Sequence, residues 1–306
     1  MKNALIYLIG FILLVGGIIF ARHIWTRIQH YIVTIINKVK IFIIKKKLAA
    51  GADATELLKK ALKNPSLLWG SSEKTSLIKV LLAHGANVNI KNDDGNAAIH
   101  LAWHPNIIKL LLEHGADINA KDNRGKTALH YAFTPPMAAF LIAHNADVNA
   151  KDMDGKTALH THSPHLFWKD IVKLLLIHGA DVNAKDVDGR RALHGARNVE
   201  ITELLLTHGA KVNAQDDLNR TALHIQYNLE TPQLLIAHGA QVNIKDKFGR
   251  IPLHYASYGG NREIVELLLA HGSDVYTNDN KGQTPRMFAQ EAGHTDIAQL
   301  LEKHEQ

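Results

Sequence analysis

Two short motifs recur in phase over most of this 306-residue chain, and they limit the possible folds more than anything else in it. A Leu-His or Ile-His pair stands at Ile99-His100, Leu129-His130, Leu159-His160, Leu193-His194, Leu223-His224 and Leu253-His254. The histidines are 30, 30, 34, 30 and 30 residues apart. In phase with them runs His84-Gly85-Ala86-Asn87-Val88-Asn89. It returns as His114 to Asn119, His144 to Asn149, His178 to Asn183, His208 to Asn213, His238 to Asn243 and, altered, His271 to Tyr276. A unit of about 30 residues cannot bury its own apolar face, so it must stack on its copies.

The residues within a unit say how it folds. Leu174-Leu175-Leu176, preceded by Ile171 and Val172, form the apolar side of a helix. Gly115, Gly179, Gly209, Gly239 and Gly272 follow such runs where a left-handed C-cap needs no Cβ, and Asn145 is the usual substitute. The histidines just before them complement the negative helix end. Thr127, Thr157, Thr221 and Thr284 stand before Ala or Pro, where a hydroxyl is expected to cap a first helix. Asp122 to Gly125 is turn chemistry.

Lys126-Thr127-Ala128-Leu129-His130 near the start of a unit, and Leu110-Leu111-Leu112-Glu113-His114-Gly115-Ala116-Asp117 near its end, resemble the ankyrin repeat. The resemblance covers about residues 48–306, and six units carry both halves. It implies a β-turn finger and two antiparallel helices per unit, stacked into a curved solenoid. The expected fold is an all-α repeat solenoid of helix-turn-helix units with β-turn fingers, preceded by one transmembrane helix. The units run 94–123, 124–153, 154–187, 188–217, 218–247 and 248–280, between a degenerate N-cap at 54–93 and a C-cap at 281–306. The family period is about 33, whereas four intervals here are 30. Three residues are missing between the helices, where His104-Pro105, Pro135-Pro136, Arg197-Asn198 and Thr231-Pro232 now stand, so the first helix must be short. Pro105, Pro136 and Pro232 suit the first turn of the second helix. The capping Thr is lost at Ala97, Arg191 and Ile251.

The N-terminal segment differs in character. Residues 1–52 hold eight Lys or Arg and no acid; removing those eight from the 35 basic residues leaves 27 against 29 acidic ones. The basic charge therefore belongs to this segment, and the repeats have no global attraction for nucleic acid. From Asn3 to Ala21 no residue is charged, and as a helix residues 4–21 span roughly 27 Å, close to a bilayer's hydrocarbon thickness. A transmembrane anchor over 1–22 is the natural reading. A signal peptide cleaved near Ala21 competes, although Ile19-Phe20-Ala21 is a poor cleavage site; a buried core helix is the third alternative. Basic residues from Arg22 to Lys47 follow the run, which places the repeats in the cytoplasm. Residues 23–47 read as a basic amphipathic helix on anionic lipid, or as a stalk.

Catalysis has no foothold: the sequence holds no phosphate-binding glycine loop, no His-Glu-x-x-His, no Gly-x-Ser-x-Gly and no cysteine. No enzyme, cofactor or metal site is expected. His160, His162 and His165 are close together but lack a carboxylate or thiol partner before Asp170. A protein-protein interaction scaffold at a membrane is the leading expectation. An accessory subunit of a channel or transporter complex and a secreted binder are the alternatives. Candidate partner contacts are the apolar finger tips Met153, Val187, Leu218 and Phe248, expected in one row, and the aromatic positions Trp103, Tyr227 and Tyr258. Trp103 and its equivalents, with Phe133 and Trp168, can instead fill space beside the shortened helices. The resemblance also implies hydroxylation candidates at Asn119, Asn149 and Asn183.

Overall fold

A computed structural model describes residues 41–63, 72–102, 104–161, 167–226 and 228–306, without the side chains of 72–74. The expected anchor over 1–22 and its continuation to residue 40 lie outside these residues, as do Trp103, His162, His165 and Tyr227. Among the described residues none is in a strand, and no helix is long and apolar enough to cross a membrane. They fall into two compact parts, up to Ala116 and from Asp117.

In the first part, residues 41–49 are helical. Two helices follow, Ala54–Leu62 and Ser72–Ala83, the former capped by Asp53, whose carboxylate accepts from Thr55 N at 2.8 Å. A 3-10 turn, Ala98–Leu101, and a helix, Pro105–Glu113, complete it. Leu58, Leu62, Ile78, Leu81, Ile107, Ile108 and Leu111 are fully buried, each stabilising by about 1.5–3 kcal/mol.

In the second part, every unit pairs a leucine-rich second helix with a first helix of variable length. The second helices are Pro135–Ala143, Trp168–Ile177, Val199–Thr207, Glu230–Ala237, Arg262–Ala270 and Thr295–His304. Pro135 opens the first of them, where a missing N–H costs little. All but the last end alike. Ala180 N donates to Leu175 O at 3.0 Å and Gly179 N to Leu176 O at 3.1 Å, with Gly179 at φ 84° and, one unit earlier, Asn145 at φ 67°. These are Schellman closures, which need the left-handed conformation.

The first helices are short where the interval is 30, and also in the unit 154–187, whose interval is 34 because four residues are added after the first helix. Ala128–Tyr131, Ala158–His160 and Ala222–Ile225 are single 3-10 turns, and Ala192–Gly195 is one α-turn. Where the interval is 33, Pro252–Tyr258 is a seven-residue α-helix, and Pro285–Glu291 of the last unit matches it.

The threonine caps require a correction. Only Thr284 accepts a helix N–H, from Met287 N at 3.4 Å. The hydroxyls of Thr127, Thr157 and Thr221 instead meet the Nδ1 of His130, His160 and His224 at 2.9–3.0 Å. In a 3-10 turn the histidine three residues on is near enough to compete for the hydroxyl. The same Nδ1 accepts the backbone N–H of Thr127, Thr157 or Thr221 at 3.1 Å, and His194 and His254 do so for Arg191 and Ile251. An Nδ1 that accepts leaves the proton on Nε2. That Nε2–H donates into the next unit, from His130 to Lys156 O (3.0 Å), His160 to Arg190 O (3.3 Å), His194 to Arg220 O (3.2 Å), His224 to Arg250 O (3.3 Å) and His254 to Gln283 O (3.1 Å). The Leu-His histidine therefore starts the first helix and ties its unit to the next.

Candidate partner-binding surface

The fingers are built from a turn that the aspartate organises. Asp152 Oδ1 accepts from Asp154 N at 3.0 Å and Lys156 N at 2.8 Å, while Asp152 N donates to Lys156 O at 2.9 Å. Asp122, Asp186, Asp216, Asp246 and Asp279 repeat the pattern. Consecutive fingers are then joined by one backbone hydrogen bond each: Met153 N to Arg124 O, Val187 N to Asp154 O, Asp217 N to Asp188 O, Lys247 N to Leu218 O and Asn280 N to Phe248 O, all at 2.8–3.0 Å. A Cβ on Gly125 would lie 2.8 Å from Met153 N, so glycine there also permits this close approach.

This ladder shows that the four apolar tips do not form a single register. Met153 and Val187 occupy the turn position whose N–H reaches back, whereas Leu218 and Phe248 occupy the next position, whose carbonyl receives the following unit. Their environments differ accordingly. Met153 is 72% exposed and Val187 64%. Phe248 is 45% exposed because the Arg250 guanidinium lies 4.5 Å from its ring centroid, and Leu218 is half-buried. Of the aromatic positions, Tyr258 is 56% exposed while Trp168 is buried in the core and Phe133 is half-buried.

An open groove of about 560 Å³ lies beside the last two fingers, with Phe248, Tyr255, Tyr258 and Phe288 on its walls. The Phe288 ring stands edge-on to those of His254 and Tyr258. Burial and the hydrogen bond to Asp246 push the Tyr255 hydroxyl pKa well above its ordinary value, so it stays protonated. Sequence reasoning missed this groove. A readable signal existed in Tyr255, nine residues after a finger aspartate like Tyr131, whose hydroxyl donates to Asp122 at 2.5 Å.

The candidate hydroxylation residues are held on both sides of the amide. Asn149 Nδ2 donates to Gly179 O at 3.0 Å and its Oδ1 accepts from Asp181 N at 2.7 Å. Asn119 does the same toward Asn145 O and Asp147 N, and Asn183 toward Gly209 O and Lys211 N. An enzyme acting on these side chains must first draw them out of the stack. Burial pushes the pKa of His130, His160, His194, His224 and His254 down, that of His224 to about 4, so all five are neutral at pH 7. Both ring nitrogens of His160 are engaged in the stack, and among the described residues no group of side chains has metal-binding geometry.

Among known protein families, the model described as ankyrin repeats (3 copies) matches residues 67–152, 134–216 and 218–306. No curated protein matches the chain.

Proposed function

The chain belongs to the ankyrin-repeat family, and on that premise we propose that it is a membrane-anchored scaffold that binds a protein partner through its finger tips and the adjoining first-helix face. The supporting observation is the exposure of Met153 and Val187 at turns whose backbone groups are already bonded. The stack requires the turn but not the apolar side chain, and adjacent exposed apolar groups favour a partner that covers them. The charge-free run over 4–21 supplies the anchor, and basic residues 22–47 supply contact with anionic lipid. Phe42 and Ile43 are exposed beside Lys45, Lys46 and Lys47, which suits that contact. The repeats then face the cytoplasm. Hydroxylation of Asn119, Asn149 or Asn183 belongs to the same proposal and would add 16 Da, one oxygen atom, to its peptide.

Proximity labelling from the C-terminus in native cells identifies the partner. Met153→Asp with Val187→Asp is then expected to weaken its capture by at least ~2 kcal/mol with thermal unfolding unchanged. Normal capture by the folded double variant would remove the tips from the interface. The chain should also resist alkaline carbonate extraction; recovery of a soluble chain beginning near residue 22 would replace the anchor with a cleaved signal.

A further inference from the structure

One finger carboxylate lacks the partners that its neighbour has. Asp246 Oδ2 accepts Tyr255 OH at 2.6 Å and Arg250 Nε at 3.2 Å. The Arg250 guanidinium lies 4.8 Å from the Tyr255 ring centroid, so it is paired and stacked at once. Four and nine residues after Asp279 stand Gln283 and Phe288 instead. Gln283 Nε2 turns to Glu291 at 3.4 Å, and Phe288 has no hydroxyl. Asp279 Oδ1 still holds Lys281 N and Gln283 N at 2.8 and 2.9 Å, which leaves Oδ2 available. Asp152 and Asp186 have Thr161 and Gly195 nine residues on, which build no aromatic wall. Asp279 combines these missing partners with an open groove, on whose walls lie Tyr258, Phe288 and Glu291.

We propose that this groove receives an arginine side chain from the protein partner, its guanidinium pairing with Asp279 and Glu291 and stacking on Tyr258 and Phe288. Arg250, one unit earlier, is the internal version of the same contact. The groove also carries Lys281 and Arg250, the latter already paired with Asp246, and both oppose any cation. A guanidinium gains from flat stacking and forked hydrogen bonds what a compact ammonium does not. This inference rests on the array being a protein-binding surface.

The test uses the full chain in detergent micelles and two fluorescein-labelled octapeptides of Gly and Ser. One carries a central arginine; the other carries citrulline, which keeps the shape and loses the charge. Anisotropy titration should show the arginine peptide binding at least ten-fold more tightly. Asp279→Asn should reduce it to the citrulline level, and the fold tolerates the change because Asn92 Oδ1 holds its own turn, accepting from Asp94 N at 3.0 Å and Asn96 N at 2.9 Å. Gln283→Arg, which places a guanidinium where Arg250 sits relative to Asp246, should also abolish the preference. Equal binding of the two peptides, no binding of the arginine peptide, or an unchanged preference in folded Asp279→Asn each overturns the proposal. The Met153 and Val187 double variant should keep the arginine preference. Partner capture through the tips without that preference would sink this inference and leave the wider proposal standing.

Discussion

Residues 188–217 and 248–280 carry the same finger, the same Leu-His pair and second helices of nine residues each, Val199–Thr207 and Arg262–Ala270. They differ in the first helix, four residues at Ala192–Gly195 against seven at Pro252–Tyr258. The three missing residues are close to one turn at ~3.6 residues per turn. The finger and the second helix are therefore the invariant parts, and the first helix can shrink to one turn because its histidine both starts it and ties it to the next unit. The cost is surface. A one-turn helix offers little to a partner, whereas a groove lies beside the two seven-residue helices.

Acid should break the comparison most forcefully. The buried histidines His130, His160, His194, His224 and His254 have folded pKa values below their unfolded value of 6.5, so the unfolded chain takes up protons first as pH falls. Their contribution is fully present above pH 6.5 and is lost progressively below it, down to about pH 4 for His224. That histidine alone accounts for about 3 kcal/mol. Asp216, held low by Arg220 against the opposing effect of burial, loses its contribution only at lower pH. Urea midpoints should fall steadily from pH 6.5 to 4.5, with amide protection lost in the one-turn units before Pro252–Glu291. A flat midpoint over this window would show that the histidines are not buried neutral.

A single histidine sharpens the same point. His194→Ala strands the N–H of Arg191 and the C=O of Arg220, about 1–3 kcal/mol each if both remain dry. Hydrogen exchange should show Ala192–Ala196 opening. In His254→Ala the helix should survive, because its own bonds, such as Gly259 N to Tyr255 O at 2.9 Å, remain. Equal local loss in the two variants would mean that helix length confers no independence.

The smallest effects concern the weakest interior unit. Residues 188–217 have Arg191 in place of a threonine and Gly195 inside the turn, so they should exchange fastest among the interior units. Arg191→Thr restores a hydroxyl for His194 Nδ1, and Gly195→Ala removes backbone entropy; each is expected to stabilise by roughly 0.5–1 kcal/mol. Uniform protection from residue 117 to 280, or no gain from either change, would place the weak point elsewhere.

Much of the architecture was legible in the residues themselves. A 30-residue period with leucine runs and left-handed caps demands stacking, because one unit cannot bury its own face, and the missing three residues before Pro136 and Asn198 announce a short first helix. The tips were identifiable as turns, with Met153 one place and Leu218 two places after the finger aspartate, but not which place donates to the preceding finger and which accepts from the next. The histidine tie and the ladder joining the fingers were decided only by tertiary structure. Each depends on what a neighbouring unit, 26 to 34 residues away, brings within hydrogen-bond reach, as Lys156 O does for His130 and Lys185 O for Lys151. A local motif states what a side chain can offer; the stack determines whether anything is there to take it.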